Sequence, residues 1–272
     1  MAVQLAELLS TFDELWPVSG ADSWDAPGLV SGDSRARISR VLLAVDVTHE
    51  VLDEAIDGGF DLILAHHPLL LKGVTNLAEE TSKGSILAKA IRSNVAIYAA
   101  HTNADIVARG VSAALADAFG LINAVPLVSA GEAIGHGRLG ELPTPMSLGE
   151  FAKRIAKVVP PTATGVRVAG SFESEVGAVA LCGGAGDSFM QIAYESGADV
   201  YITSDLRHHP VQEVLELAKA AGRRFSVIDI SHWAAEWMWL EYAAEDIRGR
   251  FASLQVIASE LRTDPWDFAV TQ

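Results

Sequence analysis

The sequence predicts an α/β protein in which a discontinuous α/β first domain, residues 1–125 plus 207–272, carries an inserted ferredoxin-like α+β second domain at 126–206. Three observations predict it. Short apolar runs alternate with helical patterns as far as Gly120, the order expected of parallel strands joined by crossover helices. The pattern changes after Leu127, where Gly131, Gly135, Gly137 and Gly140 crowd a stretch with few helical signals. A compact β-α-β-β-α-β order follows, before helix, strand and helix resume.

Each element has its own signal. Leu5, Leu8, Leu9, Phe12 and Leu15 fall at helical spacing within Met1–Trp16. That segment carries Glu7, Asp13 and Glu14 and no basic region, so it reads as an amphipathic helix rather than a signal peptide. Arg40 to Val47, Phe60 to Ala65 and Val95 to Ala100 are short apolar runs, predicted as buried strands. Between them lie helical patterns at Thr48 to Gly59 and Lys83 to Ser93, and Val111 to Phe119 follows, closed by Gly120. In the middle, strands are expected near Gly137–Glu141, Gly165–Ala169, Val176–Leu181 and Ala198–Thr203. Helices near Ser147–Val158 and Ser188–Ser196 separate them. The chain ends with a helix at Pro210–Ala221, a strand at Phe225–Asp229 and a long helix from His232 to Phe251.

Composition bounds the function. Of 272 residues, 50% are hydrophobic, enough for a substantial core. The single cysteine, Cys182, excludes an internal disulfide framework and a cysteine-based zinc site, and a packed apolar role suits it. A formal net charge of −15 disfavours nucleic-acid binding, which needs a basic face. No run of about 18 apolar residues is present, so no membrane span is expected. A soluble cytoplasmic protein is the default expectation.

The chemistry is carried by histidines. His66, His67, His101 and His232 sit just beyond predicted strand ends, with His208 and His209 a little further on. Ligands of open α/β sheets bind outside the carboxyl ends of strands, so this placement gathers imidazoles at one edge. Taken singly, each signal has an ordinary alternative. His66 and His67 are metal ligands or solvent-facing loop residues. In HTNAD, Asp105 is a ligand or a helix cap, and Asn103 is placed to set the turn. His232 and Glu236, four apart behind the N-cap Ser231, share a helical face as metal ligands or as a surface pair. Trp233 and Trp237 on that helix read as packing. Together, His66, His67, Asp105, His232 and Glu236 supply three imidazoles and two carboxylates. That set is too many for one four-coordinate catalytic zinc and suits two divalent ions with a bridging carboxylate. Zn, Fe, Mn and Co all accept such donors.

These motifs resemble the dinuclear-metal proteins called GTP cyclohydrolase 1 type 2 homologues, the Nif-three-like family, over nearly the whole chain. Trp24-Asp25 with Gly28-Leu29 resembles a WDNxGL segment, with Ala26 in place of Asn. LAVDVT at Leu43–Thr48, AHHPLL at Ala65–Leu70, HTNAD at His101–Asp105 and GHGRLG at Gly135–Gly140 follow in order. TSDLRHH at Thr203–His209 and DISHWAAE at Asp229–Glu236 resemble TGDxxHH and DxGHxxxE, with Ser204 and Ser231 replacing glycines. The resemblance implies a dinuclear site at His66, His67, Asp105, His232 and Glu236, in a toroidal homohexamer. It also implies hydrolysis of a nucleotide or related small molecule, with Glu236 bridging and His101 as a base or proton shuttle beside the ligands, or as a further ligand. Asp205, His208 and His209 are candidates for substrate binding or proton relay. A non-catalytic scaffold that stores, delivers or senses metal is the competing reading. No P-loop or dinucleotide fingerprint is present, and the Gly183–Ser188 stretch is either an anion-binding loop or a plain glycine-rich turn.

Overall fold

The runs RVLLA, LILA and AIYA are too short for helices and apolar at nearly every position, which suits strands covered on both faces. In the computed structural model, which describes residues 2–131 and 133–271, they form parallel neighbours. With Gly28–Ser31 as β1, these are β2 (Arg40–Ala44), β3 (Leu62–Ala65) and β4 (Ala96–Ala99). The sheet runs in the order Gln255–Ala258, β2, β3, β4, β1, with β1 antiparallel at its edge. The described chain is thus a mixed α/β fold, and it divides into two compact units. The first comprises Met1–Ala104 and Leu240–Thr263. Its helices include α1 (Leu5–Leu15), α2 (His49–Asp57) and α3 (Ser82–Arg92). Thr48 and Thr81 cap α2 and α3 by accepting from the backbone N–H groups of Val51 and Gly84. Leu42, Val51, Leu52, Ile63, Ile86 and Ile97 pack in one core there.

Register is what matters for function in this unit. Ala44 pairs with Ala65, and Ala65 with Ala99, so the three strands finish level. The ladder runs one step further, with His66 N–H donating to Ala44 O and Ala100 N–H to Ala65 O. His66, His67 and His101 therefore leave the sheet at a common edge.

The second unit comprises Asp105–Trp239 and Asp264–Gln272. Here α4 (Thr102–Asp105) ends and α5 (Val111–Phe119) follows, terminated by Gly120 at φ +73°. Its strands are β5 (Ile122–Val125), β6 (Arg138–Ser147), β7 (Arg167–Ala169), β8 (Glu175–Ala185), β9 (Val200–Ser204) and β10 (Ser226–Asp229). They pair in the order β7, β10, β9, β8, β6, β5. Helices α6 (Leu148–Val158), α7 (Met190–Glu195) and α8 (His208–Ala220) connect them, and the chain leaves the unit within α9 (His232–Arg250).

Two expectations need correction. The β-α-β-β-α-β order is present along the chain, but the sheet is not ferredoxin-like. β8 and β9 are direct parallel neighbours, and β7 pairs with β10 instead of β8. The reason lies in burial: β9 and β10 are buried along their whole length and take central places, whereas the three-residue β7 is half exposed and suits an edge. The domain limits also move. Residues 105–125, 207–239 and 264–272 belong to the second unit; β5 and β10 are strands of its sheet, and a break at 125 or 207 would cut hydrogen-bonded ladders.

GHGRLG has a local structural task. Gly135 and Gly137 adopt φ of +151° and +63°, and a Cβ at Gly135 would lie 2.1 Å from Val128 O. This backbone lets the buried Arg138 donate to the carbonyls of Gly135 (3.0 Å), Gly137 (2.7 Å) and Val107 (2.8 Å). Arg138→Met should therefore lower unfolding free energy by about 2–4 kcal/mol, since buried acceptors lose a charged donor. Urea denaturation checks this, and an unchanged midpoint would contradict it.

Candidate metal centre

In the first unit, three imidazoles converge. His66, His67 and His101 have ring centroids 5.3–5.4 Å apart, and their ligand atoms lie within 4.8 Å of one another. Each ring is oriented through Nδ1. His66 Nδ1 donates to Ala100 O at 2.8 Å. A carbonyl can only accept, so Nδ1 of His66 carries a proton, and in the neutral ring the lone pair is on Nε2. His67 Nδ1 meets Asp46 Oδ1 at 2.7 Å, and His101 Nδ1 meets Asp25 Oδ1 at 2.8 Å. Donation from one ring nitrogen to a carboxylate or carbonyl is how metal-binding imidazoles are held with the other nitrogen facing the ion.

Asp25 is anchored in turn. Its carboxylate accepts from the backbone N–H and hydroxyl of Thr102 and from Ala26 N–H. Burial alone would raise its pKa, but the bonds from His101 and Thr102 outweigh that and lower it. Burial, reinforced by repulsion from His66 and His67, lowers the pKa of His101 against the pull of Asp25. The neutral, lone-pair-bearing form of His101 is therefore favoured. Asn103 fixes the same turn, accepting from His101 N–H at 2.9 Å and donating to Trp16 O at 2.7 Å.

In the second unit, His232 opens α9. Ser231 caps that helix, accepting from Ala234 N–H at 3.2 Å, and its hydroxyl donates to Asp264 at 2.7 Å. His232 Nδ1 lies 2.6 Å from Asp205 Oδ2, and its Nε2 lies 2.8 Å from Oε1 of the buried Glu236. Burial pushes the His232 pKa down, but the carboxylates of Glu236 and Asp205 overcome it and raise it to about 11. Gly184 makes the room: at φ +68°, a Cβ there would stand 2.7 Å from Glu236 Oε1. Asp105 closes α4, and its charge, like that of Glu236, acts on Cys182. Burial first, then these carboxylates, push that thiol up to about 12, so Cys182 is a packed, protonated residue.

The structure thus brings His66, His67 and His101 together in one unit, and Asp205, His232 and Glu236 together in the other. Asp205 grips His232. His208 and His209 are exposed at the start of α8, their ring centroids 5.2 Å apart. His208 lines a cavity of about 430 Å³ with Arg167, Leu206, Val211 and Asp229. The Gly183–Ser188 stretch runs from β8 into a 3₁₀ turn at Asp187–Phe189 that leads into α7. Gly183 and Gly184 lie inside β8, and the space beside them is taken by Val111 and Glu236. Asp25 and Asp46 were not singled out by sequence reasoning as functional. Their only signal was a place within the WD and LAVDVT segments.

A family model described as Duf34/NIF3 (NGG1p interacting factor 3) matches residues 3–265. The chain belongs to this family. A Streptomyces coelicolor member, named GTP cyclohydrolase 1 type 2 homolog, is 43% identical over 97% of this chain and 93% of its own. A Mycobacterium tuberculosis relative of the same name is 31% identical, over 98% of this chain and 97% of its own. That alignment runs over 376 residues, so the relative carries extra sequence that this 272-residue Duf34/NIF3 chain lacks. A Bacillus cereus protein related to NIF3 superimposes with a TM-score of 0.90 at 25% identity, covering 98% of this chain and 99% of the other. No described helix is long and apolar enough to cross a membrane.

The carboxylates behind the rings should matter as much as their position suggests. Asp46→Asn should weaken divalent-ion binding about 10- to 100-fold, as outer partners of metal-bound imidazoles do. Competition with a chromogenic chelator measures it. His232 supplies a pH dependence. Its pKa is raised, so in metal-free protein its stabilising contribution is full below its ordinary value of 6.5 and fades as pH rises through about 11. A divalent ion at Nε2 must displace that proton, so ion affinity should rise with pH and His232→Gln should flatten the slope. An ion affinity that falls between pH 6 and 8 would contradict this.

Proposed function

We propose that this Duf34/NIF3 chain binds two divalent metal ions and hydrolyses a small molecule of the nucleotide class. His66, His67 and His232 would be the imidazole ligands, and Asp105 and Glu236 the carboxylate ligands. The observation that supports the reading most is the Nδ1 tethering of His66, His67 and His101, whose donor atoms lie within 4.8 Å of one another. The mixture of imidazole and carboxylate fits Zn, Fe, Mn or Co. Such ions supply Lewis acidity and a water nucleophile near neutral pH.

The chain's own part in the reaction is orientation and proton handling. Asp46 and Asp205 keep His67 and His232 aimed. His101, held neutral by burial, accepts a proton at Nε2, and Asp25 at its Nδ1 stabilises the imidazolium that results. The nucleotide class is taken from the relatives named GTP cyclohydrolase 1 type 2 homolog. The proposal also includes assembly as a homohexamer and a cytoplasmic setting.

Elemental analysis of protein purified without chelators should give about two ions per chain. A value of zero overturns the reading. In a turnover screen across nucleotides and related metabolites, His67→Ala and Glu236→Gln should lose both metal and activity. His101→Gln should keep its metal while turnover falls about 10²- to 10⁴-fold, the range for loss of a general base. Two ions with no multiple turnover on any compound would assign the chain instead as a metal-binding scaffold.

A further inference from the structure

Trp24 stands beside the histidine cluster and is 59% exposed. Its neighbour Asp25 has a fully buried side chain, bonded to His101, Thr102 and Ala26. The backbone that carries the indole is therefore pinned to the same carboxylate that orients His101. The indole itself touches that imidazole, with centroids 5.7 Å apart and an 81° edge-to-face angle. One flank of the ring is engaged and the remainder is open to solvent. Isolated exposed aliphatic side chains are ordinary, but a large aromatic side chain fixed in place with a free face is a binding surface in waiting.

We propose that Trp24 is the stacking platform for the planar heterocyclic ring of the substrate, a nucleobase, which it holds beside His101. This rests on the hydrolytic reading above and adds the part of the substrate that reading leaves open. The chemistry is direct. An indole face pairs with the π-face of any base, whereas a phosphate gains little from it. The contact with His101 ties the ring's position to the residue that would handle the proton. Trp24 acts on binding and orientation and donates nothing to the reaction.

The test uses the purified, metal-loaded full chain and two probes, guanosine and inorganic tripolyphosphate, titrated calorimetrically. Guanosine should bind wild type, and Trp24→Ala should weaken it about 5- to 100-fold, the range that loss of one base–aromatic stack produces. Trp24→Phe should recover most of that loss. Tripolyphosphate affinity and metal content should stay at wild-type values in both variants. Guanosine binding that is unchanged in Trp24→Ala, or absent in wild type, overturns the proposal. So does a change of oligomeric state in Trp24→Ala, which would make the indole a contact between copies. Wild type that holds two ions but ignores guanosine defeats the platform alone, whereas wild type without ions defeats the hydrolase reading, so the two failures are distinguishable.

Discussion

An imidazole is aimed by whatever holds one of its ring nitrogens, which decides where the other nitrogen points, and this constraint organises the structure around the candidate centre. His66 is held by a backbone carbonyl, His67 by Asp46, His101 by Asp25 and His232 by Asp205. Those partners are in turn fixed by strand ends and turns. Asp46 lies just past β2, Asp25 is fastened to the start of α4, and Asp205 follows β9 in a left-handed conformation, φ +57°. The level ending of β2, β3 and β4 delivers the rings to one edge, and the carboxylates then choose their orientation. Register and tethering are thus two stages of one device.

The same physics sets which positions tolerate little change. Gly184 has no room for a side chain because the Glu236 carboxylate occupies it. Arg138 donates to the carbonyls of Gly135 and Gly137, in a turn shaped by the positive φ of those glycines, and to the carbonyl of Val107. Ser231 uses its hydroxyl twice, capping α9 and bonding Asp264. Charge is used locally as well. The chain's acidity does not prevent a proton or a cation from being attractive at His232; it supplies the two carboxylates that make it so.

Much of this was legible without coordinates. Apolar runs of six to eight residues located β2, β3 and β4, and Ser231 marked the start of α9 because its hydroxyl satisfies an N–H group that the helix leaves unpaired. The histidines stood out because strand ends in such sheets are where ligands bind. The short edge strands Gly28–Ser31, Ile122–Val125 and Gln255–Ala258 did not stand out. Edge strands owe their place to pairing with a neighbour, and the exposed Ile122–Val125 has no buried face to leave a periodic signal.

The sequence by itself determined the alternation of strands and helices, the residue types of the candidate centre, and the exclusion of disulfides and cysteine-bound zinc, because these follow from local pattern and composition. Only the tertiary structure decided that β7 leaves β8 for β10, that the second unit begins at Asp105, and that Asp25, Asp46 and Asp205 grip the rings. Strand order depends on which strands can be buried on both faces, a competition across the whole sheet. The distance from His101 to Asp25 spans 76 residues of chain, and from His67 to Asp46 it spans 21, so no local spacing encodes either contact. Pairings of that kind exist only once the fold has brought the partners within hydrogen-bond reach.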